Sequence, residues 1–289
     1  MKKSRVSNTA QANLLMLADL GIEEAVRFQN VLKFSPGIFN IFRSIPMASR
    51  LPQCVALIAE ILYERTNSLI AETDNPLIID LACGYSPRVL RVCDEAHSYI
   101  GVDLPDVVRH LSVFRNQLIP ENDAKYTNYY SVDLTDHEAF SAFVRSMNTP
   151  ATVITQALLS YLTLEQKQIL TEQIRKLLLY NGGCWIIPDA EPDRLLPEIF
   201  QAVMGSGAYS VYEQVMHILD HIIKRDRKAN GWSSLTEITA ALETAGFRIR
   251  KVPLYTDDLH LRALHPLSEE AQKQLIAQWK NTSALIAEV

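Results

Sequence analysis

The stretch from Leu77 to Arg88, LIIDLACGYSPR, reads as a buried strand that ends at Asp80 and runs into a tight loop of small residues, Ala82, Cys83, Gly84 and Ser86. An open α/β sheet holds nucleotide-like ligands where strand ends and helix N-termini converge, and only small residues let a ligand reach the backbone there. A second strand-like run, SYIGVDLPD, follows one helical segment later and places Asp103 at its end. An acid about twenty residues past such a loop is positioned to accept hydrogen bonds from ribose hydroxyls.

The loop also discriminates among ligands. A pyrophosphate-binding turn requires G-x-G-x-x-G, whereas the corresponding positions here are Ala82, Gly84 and Pro87. The absent third glycine argues against a nicotinamide-dependent oxidoreductase. A carboxylate at Asp80 repels phosphates but attracts an ammonium group or orients loop amides, although alone it reads equally as a helix N-cap or turn residue. A cofactor with ribose and adenine at one end and a cationic amino acid at the other meets both conditions, and S-adenosylmethionine (SAM) is such a molecule.

Four segments, YERT at Tyr63–Thr66, DLACGYSPR, VDLPDVV at Val102–Val108 and QALLSYLTLEQ at Gln156–Gln166, stand in an order and spacing that resembles the class I SAM-dependent methyltransferases. Within them the likeness is to the leucine carboxyl methyltransferase group and its polyketide O-methyltransferase-like relatives. The resemblance covers Tyr63 to Gln166 and implies that Arg65 holds the methionine carboxylate and that Gly84 lies under the methionine portion. It further implies that Asp103, with Leu104 beside it, binds the ribose, and that Asp133 with Leu134 binds the adenine. The family usually has glutamate where this chain has Gln156, and glycine where it has Ala82. The first change removes a charge facing the amino group or the substrate. The second is tolerated if φ at Ala82 stays negative.

Each of these residues has a plainer competitor. Arg65 lies beside Glu60 and Glu64 in a helical stretch, where a surface ion pair is an alternative. Either Asp133 or Asp136 caps the following helix. Cys83 has no histidine at a recognisable spacing and reads as a packing residue. His217 and His221 share a helical face in MHILDHIIKR. No third metal ligand accompanies them; either is a candidate general base if its helix folds over the pocket, and otherwise they are lid residues. Tyr161, just past a strand end, either hydrogen-bonds the substrate or packs under the lid.

A chain of 289 residues with 48% hydrophobic content buries a large core. A net charge of −5 without a basic patch gives no footprint for nucleic acid. The four cysteines lack metal or disulfide spacing, and no apolar run spans a bilayer, so a cytoplasmic protein is expected. Residues 1–75 read as an N-terminal helical cap, broken at Pro36, Pro46 and Pro52, over a core at 76–289. Strands are expected at Leu77–Leu81, Ser98–Asp103, Tyr129–Asp133, Ala151–Gln156, Cys184–Ile187 and through FRIRKVPLY, alternating with helices, with His260–Leu267 as a final strand and a helical end from Ser268. Such alternation implies a parallel sheet. The family topology is a seven-stranded, mostly parallel Rossmann-like sheet with a terminal antiparallel hairpin. Residues 191–230 are helical without a strand and are expected to form a lid over the substrate.

The expected activity is O-methylation of a hydroxyl or carboxyl oxygen on a small molecule of secondary metabolism. The family also methylates protein C-terminal carboxylates. Gln156 and Ala82 leave a SAM-binding module without transfer activity as the alternative.

Overall fold

The computed structural model describes residues 7–35, 48–205, 207–223, 232 and 234–289. Apolar residues at helical spacing in the N-terminal region form α1 (Ser7–Asp19), α2 (Glu23–Leu32) and α3 (Leu51–Ala71). Pro52 marks the start of a separate helix, as expected. It occupies the first turn of α3, where its missing N–H would have had no intrahelical partner. Pro36 and Pro46 lie outside the described residues. Helix α3 is buried on most of its surface and carries Glu60, Arg65, Thr66 and Asn67 into the interior. Glu60 accepts the N–H groups of Arg262 and Ala263 at 2.9 and 2.7 Å, which stitches the helix to the C-terminal region. Burial pushes this carboxyl above its ordinary pKa, against the effect of those amides.

The core alternates strand and helix through β1 (Leu77–Leu81), α4 (Val89–Val92), β2 (Ser98–Asp103), α5 (Pro105–Leu118), α6 (Glu121–Ala124) and β3 (Thr127–Ser131). It continues through α7 (His137–Arg145), β4 (Ala151–Ile154), α8 (Leu164–Asn181) and β5 (Gly183–Ile187). Then come α9 (Pro192–Met204), α10 (Ala208–Ile223), α11 (Leu235–Thr244), β6 (Arg248–Pro253), α12 (Glu269–Lys280) and β7 (Ser283–Glu288). The seven strands are ordered β3-β2-β1-β4-β5-β7-β6. Strands β1 to β5 pair in parallel, and β7 runs antiparallel between β5 and β6. A strand covered on both faces can be apolar throughout, and β1 is buried at every position. Two apolar clusters cover the sheet, one built with α1, α3, α5 and α9 and the other with α7, α8 and α11.

Two sequence expectations fail near the C-terminus. The stretch His260–Leu267 holds only a 3-10 turn at Arg262–Leu264, and the final strand instead occupies Ser283–Glu288, within the part expected to be helical. The run ALIA is buried at all four positions because β7 is sandwiched in the sheet, so it shows no alternation to mark a strand. Strand β3 also begins and ends two residues before the expected Tyr129–Asp133, which leaves Asp133 in the loop beyond it. Among the described residues no helix is long and apolar enough to cross a membrane.

Candidate active site

Strand order reverses between β1 and β4, and at the carboxyl edge beside this point lies a cavity of about 400 Å³. Small-molecule sites span about 300–1,000 Å³. The loops after β1, β2, β3 and β4 contribute Asp80, Ala82, Gly84, Asp103, Leu104, Asp133, Leu134 and Gln156 to its wall. Thr9, Ala10, Asn13, Leu14 and Leu17 of α1 close it from the other side.

The turn after β1 places Ala82 at φ +58 and Gly84 at φ +55. The condition that Ala82 keep a negative φ is therefore not met; a left-handed backbone at a residue with Cβ costs about 1–2 kcal/mol. Glycine at this position would remove that strain. At Gly84 the constraint is also one of space, since a Cβ there would sit 2.8 Å from Cβ of Ala10. Helix α1 thus rests directly on the loop.

Asp103 closes β2 and is 8% exposed. Its Oδ2 accepts the Gly84 N–H and its Oδ1 the Leu104 N–H, each at 2.7 Å. Burial raises its pKa despite these two amides, with the Asp80 charge adding to the rise. Each oxygen retains a further lone pair for a hydroxyl donor. Asp80 is not a free carboxylate. Its Oδ2 accepts from Arg88 at 2.6 Å and from the Tyr99 hydroxyl at 3.1 Å. Arg88 also donates to Asn67 Oδ1 at 2.9 Å and to Gln156 Oε1 at 2.6 Å, under the ring of Tyr63. Three of its five N–H groups are used in this way.

Arg65 is elsewhere. It is buried, and its guanidinium donates to Pro253 O at 2.9 Å, Ser68 Oγ at 3.0 Å and Glu72 Oε1 at 3.2 Å, away from the cavity. The surface ion pair with Glu60 or Glu64 is not formed either; Glu64 pairs with Arg91 at 2.8 Å. The cation that reaches the cavity is Arg88, the last residue of DLACGYSPR. Its signal in the sequence was a loop arginine eight residues after a buried acid, a pairing that only the folded loop brings together.

The competition between Asp133 and Asp136 resolves cleanly. Asp136 caps α7 by accepting the N–H groups of Glu138 and Ala139, whereas Asp133 lines the cavity and accepts from the N–H and hydroxyl of Thr135 at 2.9 and 2.7 Å. Tyr161 lines the cavity and its hydroxyl donates to Thr9 Oγ1 at 3.0 Å. His217 and His221 are exposed on α10, and neither lines the cavity, so their assignment as catalytic groups is not supported. The reason is packing. Helix α9 docks on α3 and α12 and carries α10 with it, so no described residue of 191–223 reaches the cavity. Residues 206 and 224–230 of the expected lid lie outside the described residues, and one side of the cavity is covered by α1 instead. Cys83 is buried, and burial together with the Asp103 and Asp80 charges pushes its thiol well above the ordinary range, which leaves it unreactive.

No family model matches the chain, and no curated protein matches it in sequence. Among solved structures it is similar to a protein of Thermobifida fusca provisionally assigned as a methyltransferase, at 16% identity and a TM-score of 0.54, covering 91% of this chain and 92% of that one. It also matches magnesium protoporphyrin IX methyltransferase of Synechocystis with bound SAM, at 12% identity and a TM-score of 0.47, covering 91% and 94%. An O-methyltransferase family protein of Burkholderia thailandensis matches at 14% and 0.45, covering 96% and 71%. The first of these likenesses, together with the strand order, defines the fold as the Rossmann-like α/β fold of methyltransferases.

Proposed function

We propose that this chain is a SAM-dependent O-methyltransferase acting on a hydroxyl or carboxyl oxygen of a small molecule, with secondary metabolism as its setting. The observation that carries the reading is Asp103, a buried carboxylate at the end of β2 that faces the cavity and touches Gly84. In this reading Asp103 holds the ribose hydroxyls, with Leu104, Asp133 and Leu134 at the adenine. Gly84, whose missing side chain makes room for Ala10, lies in the loop beside the methionine part. The two unused N–H groups of Arg88 take the methionine carboxylate, the role first expected of Arg65. Asp80 and Gln156 face the amino group. The donor set fits: one acid for a diol, one cation for a carboxylate, and no nest of glycines for phosphates.

SAM supplies a methyl group already activated by its sulfonium, so the chain's task is to align an acceptor oxygen and exclude water. Helix α1 covers one side of the cavity, and Tyr161 with Leu158 and Leu162 forms the wall past β4 where an acceptor would lie. No described lining residue is a histidine or lysine. Tyr63 donates its hydroxyl to Glu24 at 2.9 Å, and burial holds its proton firmly. With the lining carboxylates committed to the cofactor in this reading, an acceptor that arrives ionised needs no base, which favours a carboxylate or an acidic phenol. A protein C-terminal carboxylate belongs to the same chemical class.

Calorimetric titration with SAM and with NAD tests the cofactor; tight NAD binding without SAM binding overturns the reading. Labelled SAM with a panel of phenols and carboxylic acids tests transfer. A second reading, a SAM-binding module without transfer, draws on Gln156 and the strained Ala82. Saturable SAM binding with no labelled product from any acceptor favours it.

A further inference from the structure

The chain turns sharply after β4. Thr155 still follows the ladder, its N–H donating to Ile186 O at 3.2 Å, but Ala157 then takes φ +58, a conformation that residues with a Cβ adopt rarely. The residues on either side, Gln156 and Leu158, both line the cavity. Arg88 holds the Gln156 side chain, and a second group holds the backbone. Asp189, two residues past β5, accepts the Ala157 N–H on Oδ2 at 3.0 Å. Asp189 does not itself line the cavity. Its Oδ1 is sealed from solvent and has no hydrogen-bond partner among the described residues. A neutral asparagine would accept the same N–H without the penalty of burying a charge, so a carboxylate here is more than packing requires.

We propose, resting on the methyltransferase reading, that Asp189 is a positioning residue: its ionised carboxylate clamps the Ala157 amide and so sets Gln156 against Arg88 and Leu158 in the cavity wall. Protonation weakens the clamp, because an ionised acceptor binds an N–H about twice as strongly as a neutral one. Burial pushes the Asp189 carboxyl up to about 6, opposed by its own amide and that of Ala157, and no charged side chain contributes. The surrounding groups are consistent with this. Thr155 and Gln156 on the β4 side are neutral, Glu191 is committed to the Ser283 N–H at 2.6 Å, and Arg194 is held by Glu198 at 2.9 Å. The clamp is therefore closed above about pH 6 and loosens below it.

Two readouts on the whole chain of 289 residues test this. In an amide NMR titration the Ala157 N–H resonance is expected to shift with a midpoint near pH 6, and the Asp189→Asn variant is expected to abolish that titration. In calorimetry, SAM affinity of the unaltered protein is expected to fall about fivefold from pH 7.5 to 5.5. In Asp189→Asn the part of that dependence with a midpoint near pH 6 is expected to disappear, with affinity at pH 7.5 close to the parent's weaker value. An Ala157 amide that does not titrate, or a variant with the same pH dependence as the parent, overturns the proposal. Absence of SAM binding at every pH in both proteins would instead sink the methyltransferase reading, and the amide titration would still decide whether Asp189 holds the turn.

Discussion

Replacing Arg88 by methionine removes the cation from a pair whose side chains are 1% and 3% exposed and 2.6 Å apart. Charge centres ~4 Å apart attract by about 4 kcal/mol at an effective dielectric constant of ~20, but both partners have also given up hydration. The larger effect of the substitution is what it leaves behind, a buried Asp80 with only the Tyr99 hydroxyl as partner. Breaking such a pair costs about 3–5 kcal/mol, a large part of the roughly 5–15 kcal/mol available to a folded domain. The carbonyl oxygen of Asn67 loses its Arg88 donor as well, and that of Gln156 keeps only the Thr66 hydroxyl at 3.4 Å. Neutralising the orphan with Asp80→Asn should restore about 1–4 kcal/mol, because two neutral groups replace one unpaired charge. Urea unfolding followed by tryptophan fluorescence measures this, since Trp185 and Trp279 are fully buried. The expected order of stability is parent, double variant, Arg88→Met. SAM affinity should stay at least about tenfold weakened in the double variant, because a stable loop without a cation still lacks the carboxylate partner. A loss below about 1 kcal/mol in Arg88→Met, or a double variant no more stable than the single, would refute the account of this pair.

Asp103→Asn keeps the shape of the carboxylate but loses charge-assisted acceptance, and SAM affinity should drop by about 1–3 kcal/mol in calorimetry at pH 7.5. An unchanged dissociation constant in a folded variant would remove Asp103 from the site. Ala82→Gly relieves about 1–2 kcal/mol of left-handed strain and returns about 0.5–1 kcal/mol in chain entropy, so a net gain of about 0.5 kcal/mol is expected in urea unfolding. A clear loss would show that the methyl contributes packing that outweighs its strain. Arg65→Met severs the tie to Pro253 O and should lower stability by about 1–3 kcal/mol, with SAM affinity unchanged within about twofold. A large affinity loss would return Arg65 to the cofactor.

What the sequence made legible follows from the range of each interaction. The bounds of β1 and β2 are those expected, because apolar runs ending in Asp80 or Asp103 with small or proline-marked loops beyond them are local signals. The Asp103 to Gly84 contact follows almost from strand pairing alone, since β1 and β2 lie side by side in parallel. Arg65 and Arg88 differ in a way that local pattern does not encode. Both follow small or polar neighbours, but the helix carrying Arg65 is rotated so that its guanidinium meets the end of β6, 188 residues on. The α9–α10 segment was legible as helical but not in its docking, because its apolar face fits α3 and α12 as well as it would fit a pocket rim. Strand β7 was hidden by its position between two other strands.

The cover supplied by α1 ties together two parts of the proposed reaction that the sequence kept apart. Ala10 sits on Gly84 at the methionine end, and Thr9, one residue earlier, receives the Tyr161 hydroxyl on the acceptor side. A single helical turn thus touches both the loop that would hold the methyl donor and the wall that would hold its acceptor. Any shift of α1 that lifts Ala10 from Gly84 also moves Thr9 relative to Tyr161, because consecutive residues of one helix move as a unit.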